Sequence, residues 1–240
     1  MSLSEDPSQE KATVSEHKRF MQAVGSIQYI AVVTRPDLAF AAHALARHMA
    51  GSAKRHWLAI QHVMRYLQGT IDVCLTFNGS GKNKSVVEVY SDADFANGLS
   101  LKSVSGLVLR MHGNCVFWRS KRQDIVAGDT TEAELIAMSS SANELMWAKQ
   151  LCTDLGLTAV KPTLWGDNKS ANLLAANPIS SDRSKHIRVR HLRVREFVEL
   201  DEMVVKWIGT KDMLADGFTE VLPGPALSEL RDNLQLRIPS

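Results

Sequence analysis

The sequence predicts an α/β chain, a mixed sheet flanked by helices and preceded by a small helical module. Three observations carry this. Apolar residues recur at helical spacing from His17 to about Gly69. The stretch "NGSGKNKS", Asn78 to Ser85, is dense in turn residues and interrupts that pattern. After it the apolar period switches to two, and helices then alternate with strands.

The elements follow in order. The leader "MSLSEDPSQEKATVSE" is polar and acidic, unlike a signal peptide, and residues 1–16 are expected to be disordered. In the module of residues 17–78, "HKRFMQAVGSIQYIAVV" predicts one helix. Pro36 suits the first turn of the next, which Gly51 can end. Ser52 is the candidate N-cap of a third helix and Gly69 its stop. In the unit of residues 85–222, "VVEVYSDAD", "SGLVLRMHG" and "NCVFWRS" predict strands, with "HGN" at a hairpin turn. "QDIVAG" reads as a further short strand. A long helix from Thr131 to about Leu155 follows, then strand "PTLWG", helix "NKSANLLAAN", a basic segment, strand "EMVVKWIG" and helix "KDMLADGFTE". A weak helix, "PALSELRDNLQL", lies in a tail of residues 223–240. Trp147, Trp165, Trp57 and Tyr66 sit in apolar periodic stretches and are expected to fill core.

Composition narrows the function. The chain of 240 residues is 45% hydrophobic, enough for proper cores. A net charge of +2 does not announce a nucleic-acid binder, so any such role must come from local clustering. Three widely spaced cysteines form neither a zinc site nor a disulfide framework. A reducing, intracellular compartment, cytoplasmic or nuclear, is the simplest expectation. No apolar run is long enough to span a membrane.

The acids are more informative. Asp92 and Asp94 close the first strand and, at period two, share a face. Glu134 falls in the first turn of the long helix, Asp167 just past a strand, and Asp216 in "KDMLADGFTE". Singly, each has an ordinary explanation. "TEAE" from Thr131 fits a capping box, Asp167 can cap the next helix, and Asp216 can belong to a solvated face. Gathered at one sheet edge, however, they would repel, and protons or cations would have to neutralise them. Mg²⁺ accepts such hard oxygen ligands and keeps positions for water and phosphate. A pair of ions can activate the attacking water and stabilise the leaving oxygen of a phosphodiester.

"YSDAD", "VAGDTTEAELIAMSSSANELMW", "WGDNKSA", "KHIRVRH" and "MLADGFTE" resemble, in order and approximate spacing, the ribonuclease H domain of copia-type retrotransposon polyproteins. Upstream, "GSIQYIAVVTRPDLAFAAHALARHMAGSAKRHWLAIQHVMRYLQGT" resembles the end of the reverse transcriptase in the same polyproteins. The resemblance covers about residues 17–222. It implies a ribonuclease H-like five-stranded mixed sheet with helices on both faces, after a thumb- or connection-like helical module. It implies that Asp92, Glu134, Asp167 and Asp216 are the catalytic, metal-holding acids, choosing Asp92 over Asp94. It also implies two Mg²⁺ (or Mn²⁺) ions and hydrolysis of the RNA strand of RNA/DNA hybrids. A reverse transcriptase is a possible partner. The family usually has Ser where Gly128 and Asp129 stand, and Lys where Glu220 stands.

Arg183, Lys185, Arg188, Arg190, Arg193 and Arg195 place six cations in thirteen residues, with His186 among them and no acid after Asp182. Unbalanced in this way, the segment is expected to contact phosphates, which positions a duplex without reading sequence. Asn168 and Ser139 are further candidates, as donors to the 2′-hydroxyls that mark RNA. The competing expectation is a retroelement-derived nucleic-acid- or protein-binding module that keeps the fold without catalysis. The polymerase's own palm motifs are absent from the chain.

Overall fold

The computed structural model describes residues 12–78, 87–96, 101–157, 161–176 and 193–239. The chain divides into two compact units, residues 1–76 with 223–240, and residues 77–222.

In the first unit, helix α1 spans Val14–Val33. It starts ahead of His17 because Thr13 and Glu16 form a capping box. The Thr13 N–H donates to the Glu16 carboxylate at 2.8 Å, and the Glu16 N–H to Thr13 Oγ1 at 3.3 Å. A 3₁₀ turn at Pro36–Leu38 leads into α2, Ala39–Ala46, which ends well before Gly51. Helix α3 spans Lys54–Gly69. Its cap is not Ser52, whose hydroxyl pairs with His17 Nδ1 at 2.9 Å. His56 reaches back instead, and its Nδ1 accepts from the Ala53 N–H at 2.9 Å. Phe20, Val24, Ile27, Leu38, Leu45 and Ile60 make the core. Tyr66 is half-buried and donates to Asp37, but Trp57 is 39% exposed rather than core. The two-residue strands β1 (Cys74–Leu75) and β7 (Leu236–Arg237) pair antiparallel, with α7 (Gly224–Asn233) just before β7.

The second unit is built on a five-stranded sheet. Strands β2 (Val87–Asp94), β3 (Val104–Met111) and β4 (Asn114–Arg122) form an antiparallel meander. His112 and Gly113, both at positive φ, make the tight β3–β4 turn. Helix α4 (Thr130–Asp154) then crosses over to β5 (Thr163–Gly166), which pairs parallel to β2. Helices α5 (Lys169–Ala176) and α6 (Arg193–Glu199) lead to β6 (Val204–Trp207), parallel to β5. The spatial order is β4-β3-β2-β5-β6. A five-stranded mixed sheet flanked by helices is what the resemblance implied. Val87, Val89, Leu107 and Leu109 face α4, where Leu135, Met138, Ala142 and Leu145 complete the core.

Several elements differ from expectation. "QDIVAG" forms no strand: the pairing with β3 ends at Gln123, whose N–H donates to the Ser103 carbonyl at 2.8 Å and whose Nε2 donates to Ser105 Oγ and the Ala133 carbonyl, each at 2.9 Å. "KDMLADGFTE" is not one α-helix. Met213 is extended and splits it into 3₁₀ turns at Thr210–Asp212 and Leu214–Phe218. Trp147 is 59% exposed, on the outer face of α4, whereas Trp165 stacks on Tyr90 and donates to Glu88.

Candidate metal centre

The register of β2 and β5 sets the first two acids side by side. Tyr90 pairs with Trp165, so Asp92 and Asp167 each lie two residues further along adjacent parallel strands, at the same edge. The third acid arrives over a glycine. Gly106 of β3 stands opposite Asp92, and a Cβ there would fall 2.6 Å from the Ala215 carbonyl oxygen and 2.9 Å from Phe218 Cβ and Thr219 Cγ2. Only glycine lets the 214–218 turn lie this close, and that turn delivers Asp216. One carboxylate oxygen from each of Asp92, Asp167 and Asp216 lies within 4.8 Å of the others. Among the described residues, no other trio of His, Cys, Asp or Glu side chains gathers in this way.

Glu134 approaches from α4 and is 7% exposed. It stands outside the close trio yet feels all three aspartates. Seven residues on, Ser141 presents the same helix face and donates to Ser91 Oγ at 3.0 Å, pinning α4 to β2. The expected capping box at Thr131 and Glu134 does not form. Asp129 is the N-cap and accepts from the Glu132 N–H at 2.7 Å, while the Glu132 carboxylate accepts from the Gly128 N–H at 2.7 Å. The cap lies two residues earlier, which frees Glu134 to point elsewhere. Asp167 is no cap either. Asn168 caps α5, its Oδ1 accepting from the Ala171 N–H at 3.0 Å.

Electrostatics mark the cluster as strained. Burial, opposed by the Thr219 hydroxyl and reinforced by Asp167, pushes the Asp92 carboxyl up to about 6. Burial, then Asp92, Asp167 and Glu220, push Asp216 up to about 8. Burial followed by Asp92, Asp167 and Asp216 push Glu134 up to about 9, against the Ala93 N–H. Asp216 Oδ1 is buried without a hydrogen-bond partner. Two hydroxyls that sequence reading missed hold the other acids: Thr219 donates to Asp92 Oδ2, and Thr210 donates to Asp167 Oδ2 at 3.0 Å. Their hydrogen-bonding types at fixed offsets from Asp216 were visible, but nothing local said which way they point.

The remaining candidates are scattered. Asp94 is not in the trio. Ser139 is buried and lines a cavity of about 780 Å³ with Arg119, Lys121, Asn143, Arg193 and Arg195, and none of the four acids borders it. Arg193 is exposed, its guanidinium 5.5 Å from the Phe197 ring centroid. Arg195 is buried and donates to the Leu174 carbonyl at 2.5 Å, so it serves packing rather than open charge. Arg183, Lys185, His186, Arg188 and Arg190 lie outside the described residues. Cys74, Cys115 and Cys152 are free thiols, and no helix among the described residues is long and apolar enough to cross a membrane.

Known proteins resemble this chain over most of its length. It is 38% identical over 205 residues to the retrovirus-related Pol polyprotein from transposon TNT 1-94 of Nicotiana tabacum, covering 85% of this chain. It is 36% identical over 201 residues to the corresponding polyprotein from transposon RE2 of Arabidopsis thaliana, covering 83% of this chain. Over most of its length the chain is thus homologous to a segment of Pol polyproteins from copia-type transposons. It spans 15% and 14% of those two relatives. The secreted RxLR effector protein 161 of Plasmopara viticola is 43% identical over 129 residues, which is 53% of this chain and 89% of that protein. No family model matches. A solved ribonuclease H1 from Halobacterium salinarum covers 60% of this chain and 99% of its own at 18% identity and a TM-score of 0.41, so the fold of this chain rests on its own strand order.

Proposed function

We propose that this Pol segment is a metal-dependent ribonuclease H that cuts the RNA strand of RNA/DNA hybrids. The observation that carries the reading is the meeting of Asp92, Asp167 and Asp216 within 4.8 Å at one sheet edge, with buried Glu134 electrostatically coupled to them. The donor set fits hard divalent cations. It is all carboxylate, it holds protons far above the usual range when no cation neutralises it, and Asp216 offers a buried oxygen with nothing to accept from. Asp92, Glu134, Asp167 and Asp216 would hold two Mg²⁺ or Mn²⁺ ions. Such ions supply an activated water and a counter-charge for the leaving oxygen.

The chain's own residues do the rest. The carboxylates must shed their protons to serve as ligands, and the 214–218 turn over Gly106 keeps Asp216 against β2. Thr219 and Thr210 orient two of the carboxylates. Arg193, together with Arg183, Lys185, His186, Arg188 and Arg190, would contact phosphates through charge and so position the duplex. Asn168 spends its oxygen on the helix cap, leaving its amide N–H groups for a 2′-hydroxyl, and Ser139 is the second such donor. A reverse transcriptase is the natural partner of the helical module.

Purified protein incubated with labelled hybrid, duplex DNA and duplex RNA, with and without Mg²⁺, tests this. Metal-dependent cleavage of the hybrid's RNA alone is expected. Asp92→Asn and Asp167→Asn should each abolish it while circular dichroism stays that of the folded protein. Cleavage surviving in both variants would refute the assignment. Hybrid binding without cleavage would favour the second reading, a binding module. One observation supports that reading: Glu220, where the family usually carries Lys, adds negative charge that raises both Asp92 and Asp216.

A further inference from the structure

We propose that Thr219 is a positioning residue for the acidic cluster. Its hydroxyl occupies Oδ2 of Asp92 and so turns the other oxygen of that carboxylate toward the ligand shared with Asp167 and Asp216. This rests on the metal reading above and adds a residue to it.

Four features of Thr219 support the role. It is 1% exposed, so its hydrogen bonds do not compete with bulk water. Its hydroxyl donates to Asp92, 127 positions earlier in the chain. Its Oγ1 also lies 3.1 Å from the Asp216 carbonyl, and its N–H donates to that carbonyl at 3.0 Å. A hydroxyl has one proton, and the N–H already serves Asp216, so that proton is left for Asp92. Finally, its Cγ2 sits in the gap that Gly106 leaves, which fixes the side chain from the far side. An aspartate carboxylate otherwise rotates through a broad torsional well. A buried donor on one oxygen removes that freedom, and outer partners of this kind commonly change metal affinity by about 10–100-fold. Thr210 acts on Asp167 in the same manner, but that bond is exposed and constrains less.

Two variants separate positioning from packing. Thr219→Val keeps the branched shape and loses the donor, whereas Thr219→Ser keeps the donor and loses the methyl. The readout is Mn²⁺ binding, followed by calorimetry and by the rise in melting temperature as Mn²⁺ is titrated. The Val variant should need about tenfold more Mn²⁺ than the parent to reach half its effect. The Ser variant should stay within about threefold, below that outer-partner range. If Val binds like the parent, or if Ser is impaired as much as Val, the positioning role is wrong. Should Val fail to fold, Thr219→Ala takes its place: like Ser it lacks the methyl, so a loss of about tenfold relative to Ser is expected from the missing donor alone, and equal midpoints for Ala and Ser would overturn the role. A parent protein that shows no Mn²⁺ response overturns the metal reading and this inference with it. A responsive parent with an equally responsive Val variant overturns this inference alone.

Discussion

The four acids are held in an arrangement that the folded chain itself opposes. A carboxyl whose proton is bound more tightly in the folded than in the unfolded state favours folding at low pH and opposes it as pH rises. Unfolded carboxyls titrate near about 4, against about 6 for Asp92, about 8 for Asp216 and about 9 for Glu134 in the fold. The penalty therefore builds from about pH 4 to pH 9 and then levels. In a chelator, the melting temperature should fall across that window. Glu134→Gln removes the contribution with the widest span, so it should flatten the profile and melt a few degrees above the parent at about pH 8.5. Asp92→Asn, whose window closes near 6, should matter less there. Thermal unfolding from pH 5 to 9 checks both, and parallel curves for parent and Glu134→Gln would contradict the account. Adding divalent cation should raise the melting temperature most at the alkaline end. Part of this was legible in the sequence. Period two placed Asp92 and Asp94 on one face, but which one meets the others depends on how far the 214–218 turn reaches along β3, a tertiary matter.

At the scale of elements, the strands were readable and the helix ends were not. The switch to period two and the "HGN" turn mark β2 and β3, whose alternate residues Val87, Val89, Leu107 and Leu109 pack in the α4 core, and β4, which the turn joins to β3. The N-cap of α4 lies two residues before the Thr131 that the sequence suggests, because "GDTTEAE" offers several capping oxygens and only the Asp129–Glu132 pair has the geometry. Trp147 reads as core in the sequence because α4 carries apolar residues around much of its circumference, which hides its outer face. The 214–218 turn follows from contact with β3 rather than from its own propensity, and Gly106 is the residue that permits it. Gly106→Ala would force a Cβ to 2.6 Å from the Ala215 backbone carbonyl, which no side-chain rotation relieves. It should cost about 1–3 kcal/mol of stability, as overpacking does. Divalent affinity should weaken alongside, because Asp216 and Thr219 ride on the displaced turn. Chemical denaturation and Mn²⁺ titration measure the two effects; an Ala variant as stable and as tightly binding as the parent would remove Gly106 from the explanation.

At the scale of the molecule, the division into two units makes a separable claim about stability and about the site. All four acids lie in residues 77–222, and the core against α4 is drawn wholly from that unit. The first unit is completed by residues from the far end of the chain. Strand β7 pairs with β1, the Thr76 N–H and hydroxyl both donate to the Gln235 carbonyl at 2.9 and 2.8 Å, and the Arg231 guanidinium lies 5.9 Å from the Tyr66 ring centroid. In the sequence, residues 223–240 read as a tail with a weak helix. Two-residue strands are too short to show a period, and their pairing spans more than 150 positions, so no local pattern announces it. Truncation after Leu222 should therefore strip β1 of its partner and remove the Tyr66–Arg231 contact. The first unit should unfold earlier by several degrees, since a loss of about 1 kcal/mol lowers the midpoint of a 60–100-residue domain by about 4–8 °C. The Mn²⁺ midpoint of the second unit should hold, because none of its ligands, capping residues or core side chains is lost. Thermal unfolding by circular dichroism with a parallel Mn²⁺ titration distinguishes the outcomes. A truncated protein that unfolds like the parent would show that the β1–β7 pair contributes little. One that loses Mn²⁺ binding while still folded would show that the acidic site depends on the C-terminal residues.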